Sequence, residues 1–118
     1  GIMSTAPGML KSRLTLLQNE NPSLTFEDDW MDTEEGTRAL IRVIDGDDMI
    51  ALEFIEPEGM WQEPDVIEEY AETVEEDIGV TVIVPDDEKD DARNEIGPES
   101  GIRVLGYSEI GSGLRYQS

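Results

Sequence analysis

The side chains that could do chemistry in this chain are almost all carboxylates, and they fall into three groups. Asp65, Glu68, Glu69, Glu72, Glu75 and Glu76, with Asp77 beside them, recur at three- and four-residue steps and would form the outward face of one helix. Asp86-Asp87-Glu88-Lys89-Asp90-Asp91 follows directly on a short apolar run. Asp45-Gly46-Asp47-Asp48 lies between two longer ones. No His and no Cys accompany them. That removes zinc sites, thiol nucleophiles, disulfide scaffolds and any His-dependent triad.

Paired carboxylates can act as general acid and base or hold a divalent cation. With 29 Asp and Glu in 118 residues, almost any two would serve, so abundance singles out none and no catalytic residue is nominated. Asp86, Asp87, Asp90 and Asp91 follow a strand, where ligands and Mg²⁺ sit in α/β sheets. Together with Asp45, Asp47 and Asp48 they are the candidates for a weakly held divalent cation, against the plainer reading of solvated acidic loops. Neither cluster reproduces the calcium-binding loop of an EF-hand, which needs alternating ligands, Gly at its sixth position and Glu at its twelfth. A nuclease pattern would need Lys shortly after Glu53, where Phe54 and Ile55 stand. The glycines of 106–113 lack the Lys-Ser/Thr of a phosphate-binding loop. The expectation is a protein without a cofactor, and a non-enzymatic role over an enzymatic one.

The helix row is more informative. Like charges three or four residues apart repel by about 0.2–0.5 kcal/mol per pair, and no base interrupts the row. Selection for helix stability alone would intersperse Lys. Three explanations follow. The face is merely solvated, or it docks a basic protein surface, with its carboxylates standing in for phosphates as in a nucleic-acid mimic. Alternatively, the acidity adapts the protein to a salt-rich solvent, which the ratio of 6 Arg to 2 Lys would fit. Trp61, just ahead of the row, is either an aromatic anchor at the rim of that interface or a cap on the core.

The overall balance, 8 Lys and Arg against 29 Asp and Glu, gives a net charge of −21. Free nucleic acid and anionic membranes are therefore disfavoured partners. Residues 26–96 hold 26 of the acids and 4 of the bases, so both ends are nearly neutral. Salt adaptation should spread over the whole surface, and this asymmetry favours docking. No apolar run approaches the ~18 residues of a membrane span. Together with the lack of Cys, this suggests a soluble, cytoplasmic protein.

The pattern predicts an N-terminal helix over 8–19, ended by Asn19-Glu20-Asn21-Pro22. A half-buried strand over 24–31 follows. Two strands over 37–44 and 49–55 flank Asp45-Gly46-Asp47-Asp48, a strong hairpin signal. Their apolar residues on both faces suggest central strands, with Ile50, Leu52 and Phe54 on one face. Pro64 opens a helix whose stripe is Ile67, Tyr70, Ala71, Val74 and Ile78, and Gly79 stops it. A buried strand over 80–84 then completes a β-α-β crossover. Residues 86–95 read as a loop or at most a short frayed helix, and 101–107 as a last strand.

The fold class is thus α+β: an N-terminal helix, an antiparallel hairpin-containing sheet, one crossover amphipathic helix, and one or two further strands. A single domain is expected over 8–110, with flexible tails at 1–7 and 111–118. The order of helix, three strands, helix and two strands is similar to that of small acidic secretion chaperones. Those act as dimers on partner proteins, so the resemblance implies a homodimer and a protein client.

Overall fold

The computed structural model describes residues 5–97 and 101–116. Residues 1–4 and 117–118 of the two expected tails, and 98–100 within the expected domain, lie outside the described residues. Helix α1 spans Ala6–Glu20, starting two residues ahead of the expected position. The extra turn has a cap: the Thr5 hydroxyl accepts from the Gly8 N–H at 3.2 Å. Its buried positions Ala6, Leu10, Arg13 and Leu17 recur at helical spacing along one stripe. Asn21 ends the helix, its backbone and side-chain N–H groups both donating to the Leu17 carbonyl at 2.9 Å.

Five strands follow: β1 (Thr25–Thr33), β2 (Gly36–Asp45), β3 (Asp48–Ile55), β4 (Gly79–Val84) and β5 (Ile102–Gly106). They form one mixed sheet in the order β1-β2-β3-β4-β5. The first three are antiparallel, and β3, β4 and β5 run parallel to one another. The hairpin turn is as short as its Asp-Gly signal implies, with Asp45 opposite Asp48 and Gly46 at φ 65°. Helix α2 (Pro64–Glu75) joins β3 to β4, and α3 (Lys89–Ile96) joins β4 to β5. This is an α+β fold.

The sheet is covered on both sides. Under α1 lie Ile41, Val43, Ala51, Ile55, Ile83 and Leu105. On the other face Phe54, Val80, Val82 and Val84 pack with Met60, Trp61, Val66, Tyr70 and Ala92. Each fully buried aliphatic side chain contributes about 1.5–3 kcal/mol.

Three local readings are corrected. Ile50 was expected to share a face with Leu52 and Phe54, but the β2–β3 register shifts at Val43/Ile44. Past that bulge Ile50 packs on the α1 side, while Leu52 and Phe54 stay on the other. In α2 the buried positions are Val66, Tyr70 and Thr73, with Ala71 exposed, so the helix is rotated from the expected stripe. It also ends at Glu75, and Asp77 takes a left-handed conformation at φ 62°. Finally, of the loop or short frayed helix expected over 86–95, the short helix is what forms, over Lys89–Ile96. It is docked instead of frayed because fully buried Ala92 and half-buried Ile96 supply just enough apolar contact.

Residues 110–116 cross the α1 side of the sheet. Arg13 donates from Nη1 to the carbonyls of Ile110 and Ser112 at 2.7 and 2.6 Å, and from Nη2 to that of Gly113 at 3.2 Å. Asn21 donates to the Leu114 carbonyl at 2.7 Å and accepts from the Tyr116 N–H at 2.9 Å. In the segment expected as a tail, residues 112–114 and 116 are therefore hydrogen-bonded to the domain.

Candidate functional site

Helix α2 is fixed to the sheet by a polar cluster on its inner side. Arg38, on β2, donates from Nε and Nη2 to the two carboxylate oxygens of Glu56, each at 2.8 Å. The β2–β3 register, in which Ala39 faces Ile55, sets these two residues side by side. Tyr70, from α2, donates its hydroxyl to Glu56 Oε2. Its ring meets Phe54 edge-on with centroids 4.9 Å apart. Burial, and then the charge of Glu56, push the Tyr70 phenol far above its ordinary value. Burial opposes the charge on Arg38, but Glu56 and Glu69 outweigh it and hold the guanidinium above its normal range. This cluster holds Tyr70 on the inner side of the helix, with its hydroxyl on Glu56.

Locking the inner side decides what the outer side shows. Asp65, Glu68, Glu72, Glu75 and Glu76 are exposed, as is Asp77. Glu69 departs from the row, because it turns inward to Arg38 at 3.0 Å and is half-buried. It is a structural ion pair at the edge of the face rather than a free carboxylate of it. Of the described bases, Arg13, Arg38, Lys89, Arg103 and Arg115 are all within ion-pair distance of a carboxylate. None of these pairs reaches Asp65, Glu68, Glu72, Glu75 or Glu76.

Trp61 is not an anchor. It is 2 % exposed, and its indole N–H donates to Glu88 Oε1 at 2.8 Å, so it caps the core. The exposed tryptophan is Trp30, on β1, 58 % exposed and followed by Met31 at 54 %. A small depression lined by Asp29, Trp30, Met31, Arg38 and Glu69 joins this strand to the helix. A second, lined by Arg38, Asp65, Glu68, Glu69 and Glu72, continues it along α2. Arg38 and Glu69 belong to both, so the acid row is continuous with the β1 edge at Asp29 and Met31, while Trp30, opposite Ala39, turns its side chain to the α1 side of that edge. A sequence signal for Trp30 exists: its same-face neighbours along the strand, Asp28 and Asp32, are both acids.

The cation candidates scatter. Among the described residues, no group of three or more acidic side chains is placed to hold a metal ion. Asp45, Asp47 and Asp48 sit around the hairpin turn, and Asp87, Asp90 and Asp91 are exposed. Asp86 is already engaged, its Oδ1 accepting from the Ser108 N–H at 2.9 Å and from its hydroxyl at 3.0 Å. A wide cleft, about 680 Å³, lies at the C-terminal ends of β3 and β4 and is lined in part by Glu35, Glu58, Asp86 and Tyr107. Tyr107 donates its hydroxyl to the Glu56 carbonyl, and burial, then Glu88 and Glu56, raise its phenol to about 12.

What this surface can do chemically is attract and orient cationic groups. The buried carboxylates Glu53 and Glu56 are fully enclosed and paired with arginine. Among the described residues, no helix is long and apolar enough to cross a membrane. No family model matches the chain, and no curated protein matches it.

Proposed function

We propose that this is a non-enzymatic interaction protein that docks a basic protein surface through the outer face of α2. The observation that carries the reading is the row Asp65, Glu68, Glu72, Glu75 and Glu76, exposed and without a paired base, on a helix whose inner side is locked to the sheet. A fixed array of like charge raises the local concentration of an oppositely charged partner and speeds its association. Inhibitor, immunity-type, nucleic-acid-mimic and chaperone-like roles all use such a surface, and a cytoplasmic setting suits a chain without Cys. The opposite layer supports a directional surface: the exposed charges of α1 are one base, Lys11, and one acid, Glu20, which cancel.

The test compares two variants of equal charge. Glu68, Glu72 and Glu75 all replaced by Gln should lose salt-sensitive capture of basic proteins and keep the wild-type circular dichroism. Asp45, Asp47 and Asp48 all replaced by Asn should retain capture. Equal loss in the two would show that only total charge matters and would reject the α2 face as the site.

A second reading, adaptation to a salt-rich solvent, draws on the exposed acids of the hairpin turn and α3, which lie outside this face. It requires the melting temperature to climb steeply up to molar KCl. A melting temperature that levels off once surface charges are screened, at roughly 0.1–0.2 M salt, removes it.

A further inference from the structure

The sheet ends on one side at β1, and among the described residues this nine-residue strand pairs only with β2. That pairing is regular from Thr25 opposite Ile44 to Thr33 opposite Gly36. An edge this long is usually closed by Pro, Lys or a bulge, since its outward N–H and C=O groups are open to another strand. Thr25–Thr33 contains neither residue, and its register with β2 shows no shift. It carries Glu27, Asp28, Asp29 and Asp32 around exposed Trp30 and Met31.

The Trp30 amide shows the state of this edge. It donates to the side chain of its own neighbour, Asp29 Oδ1, at 2.8 Å, so it faces away from β2. Amide directions alternate along an antiparallel strand, which turns the N–H groups of Asp28 and Asp32 outward as well.

We infer that the partner is captured as an added strand, an extended segment carrying Lys or Arg at alternate positions that pairs with the free edge of β1. The inference rests on the docking reading above and names the partner's element. Charge decides the occupant. Pairing β1 with a second copy would bring two identical sets of carboxylates together, whereas a basic strand neutralises them. Main-chain hydrogen bonds supply affinity in this mode, and side-chain pockets supply selectivity. Trp30 and Met31 offer the apolar contact, and the depression at Arg38 and Glu69 leads the bound segment toward the α2 row.

The experiment uses a capped peptide of alternating Lys and Thr, matched in length to β1, and the same peptide with alternate amides N-methylated. Hydrogen exchange at the amides of Asp28, Trp30 and Asp32 is followed by NMR in the full chain. The plain peptide should slow that exchange about tenfold or more, and the methylated one should not. Binding of both peptides with no slowing at β1 would overturn strand addition while leaving charge-driven docking intact. Failure of the plain peptide to bind would also overturn it, whereas weaker or absent binding of the methylated one is the expected result. The equal-charge α2 comparison decides the docking reading separately. Trp30→Pro, which removes an outward N–H without touching the β2 ladder, should abolish the slowing. The peptide comparison stands without that variant if it does not fold.

Discussion

Arg13 and Glu53, forty residues apart, form a two-pronged ion pair at 2.8 and 2.9 Å with neither side chain exposed to solvent. The remaining donors of the guanidinium go to the carbonyls of Ile110, Ser112 and Gly113, so all five of its N–H groups are engaged. Glu53 also accepts from the Tyr116 hydroxyl and lies 3.6 Å from Arg103. The pair therefore ties α1, the centre of the sheet and the 110–116 segment into one unit. Its contribution is to specify that arrangement more than to stabilise it, since desolvation offsets much of the attraction between buried charges.

Breaking one half of the pair should be far worse than removing both. Glu53→Gln leaves a buried guanidinium without its counter-charge and is expected to cost about 3–5 kcal/mol in guanidinium-induced unfolding. Arg13→Met combined with Glu53→Leu should cost less than either single change, because no charge is stranded. A Glu53→Gln cost under about 1 kcal/mol would show that the pair is not buried in solution. Limited proteolysis gives an independent readout: Arg13→Met should open cleavage after Arg115, whose segment Arg13 otherwise pins at Ser112 and Gly113.

All three tyrosines have phenols raised above their ordinary value, which makes the protein's behaviour in alkali specific. Burial is the leading cause in each, followed by the charge of Glu56 for Tyr70, of Glu88 for Tyr107 and of Glu53 for Tyr116. A phenol whose folded value lies above its unfolded value, about 10, contributes stability that is complete below that pH. The contribution is lost as pH rises through the folded value, which for Tyr107 is about 12. Absorbance at the tyrosinate band should thus stay flat through pH 10 in the folded protein, and appear near 10 in denaturant. A folded chain in which one tyrosine titrates at 10 would contradict the burial of that ring.

The hairpin and the start of α2 are legible in the sequence because each rests on local chemistry. Gly46 supplies the positive φ of the turn, and Pro64 opens a helix where its missing N–H costs nothing. Helix α3 is legible only as an alternative to a loop, since a lone Ala92 gives no periodicity and only the surrounding core makes it worth burying. Arg13 and Glu53 are half legible. Each is a charge at an inward position, Arg13 between Leu10 and Leu17 and Glu53 between Ala51 and Ile55. Only the topology shows that each is the other's partner. Trp61, left open between rim anchor and core cap, is decided by the fold, because burial depends on which element lies above a side chain: the connection before α2 is covered, while Trp30 at the sheet edge is not.

Gly106 is demanded by its neighbour rather than by its backbone angles. A Cβ there would lie 2.4 Å from Asp86 Oδ1, the oxygen that holds Ser108. Gly106→Ala should therefore displace that exposed carboxylate from Ser108 and cost about 0.5–1.5 kcal/mol, the worth of the hydrogen bonding it gives up. In an Asp86→Ala background the same substitution should cost clearly less, because the clash is already gone. Additive costs across the double-mutant cycle would mean the two residues do not meet.

Glu72 separates stability from docking. Its neighbours on the helix are Glu68, Glu69, Glu75 and Glu76, so Glu72→Lys converts several repulsions into attractions. At about 0.2–0.5 kcal/mol per pair, the variant should gain roughly 0.5–1 kcal/mol in chemical unfolding at low salt, with the gain shrinking as salt is added. Capture of a basic protein should fall at the same time, because a positive charge now stands in the centre of the row. A chain that carries glutamate at this position forgoes available stability. A gain in stability with undiminished capture would place the binding surface elsewhere.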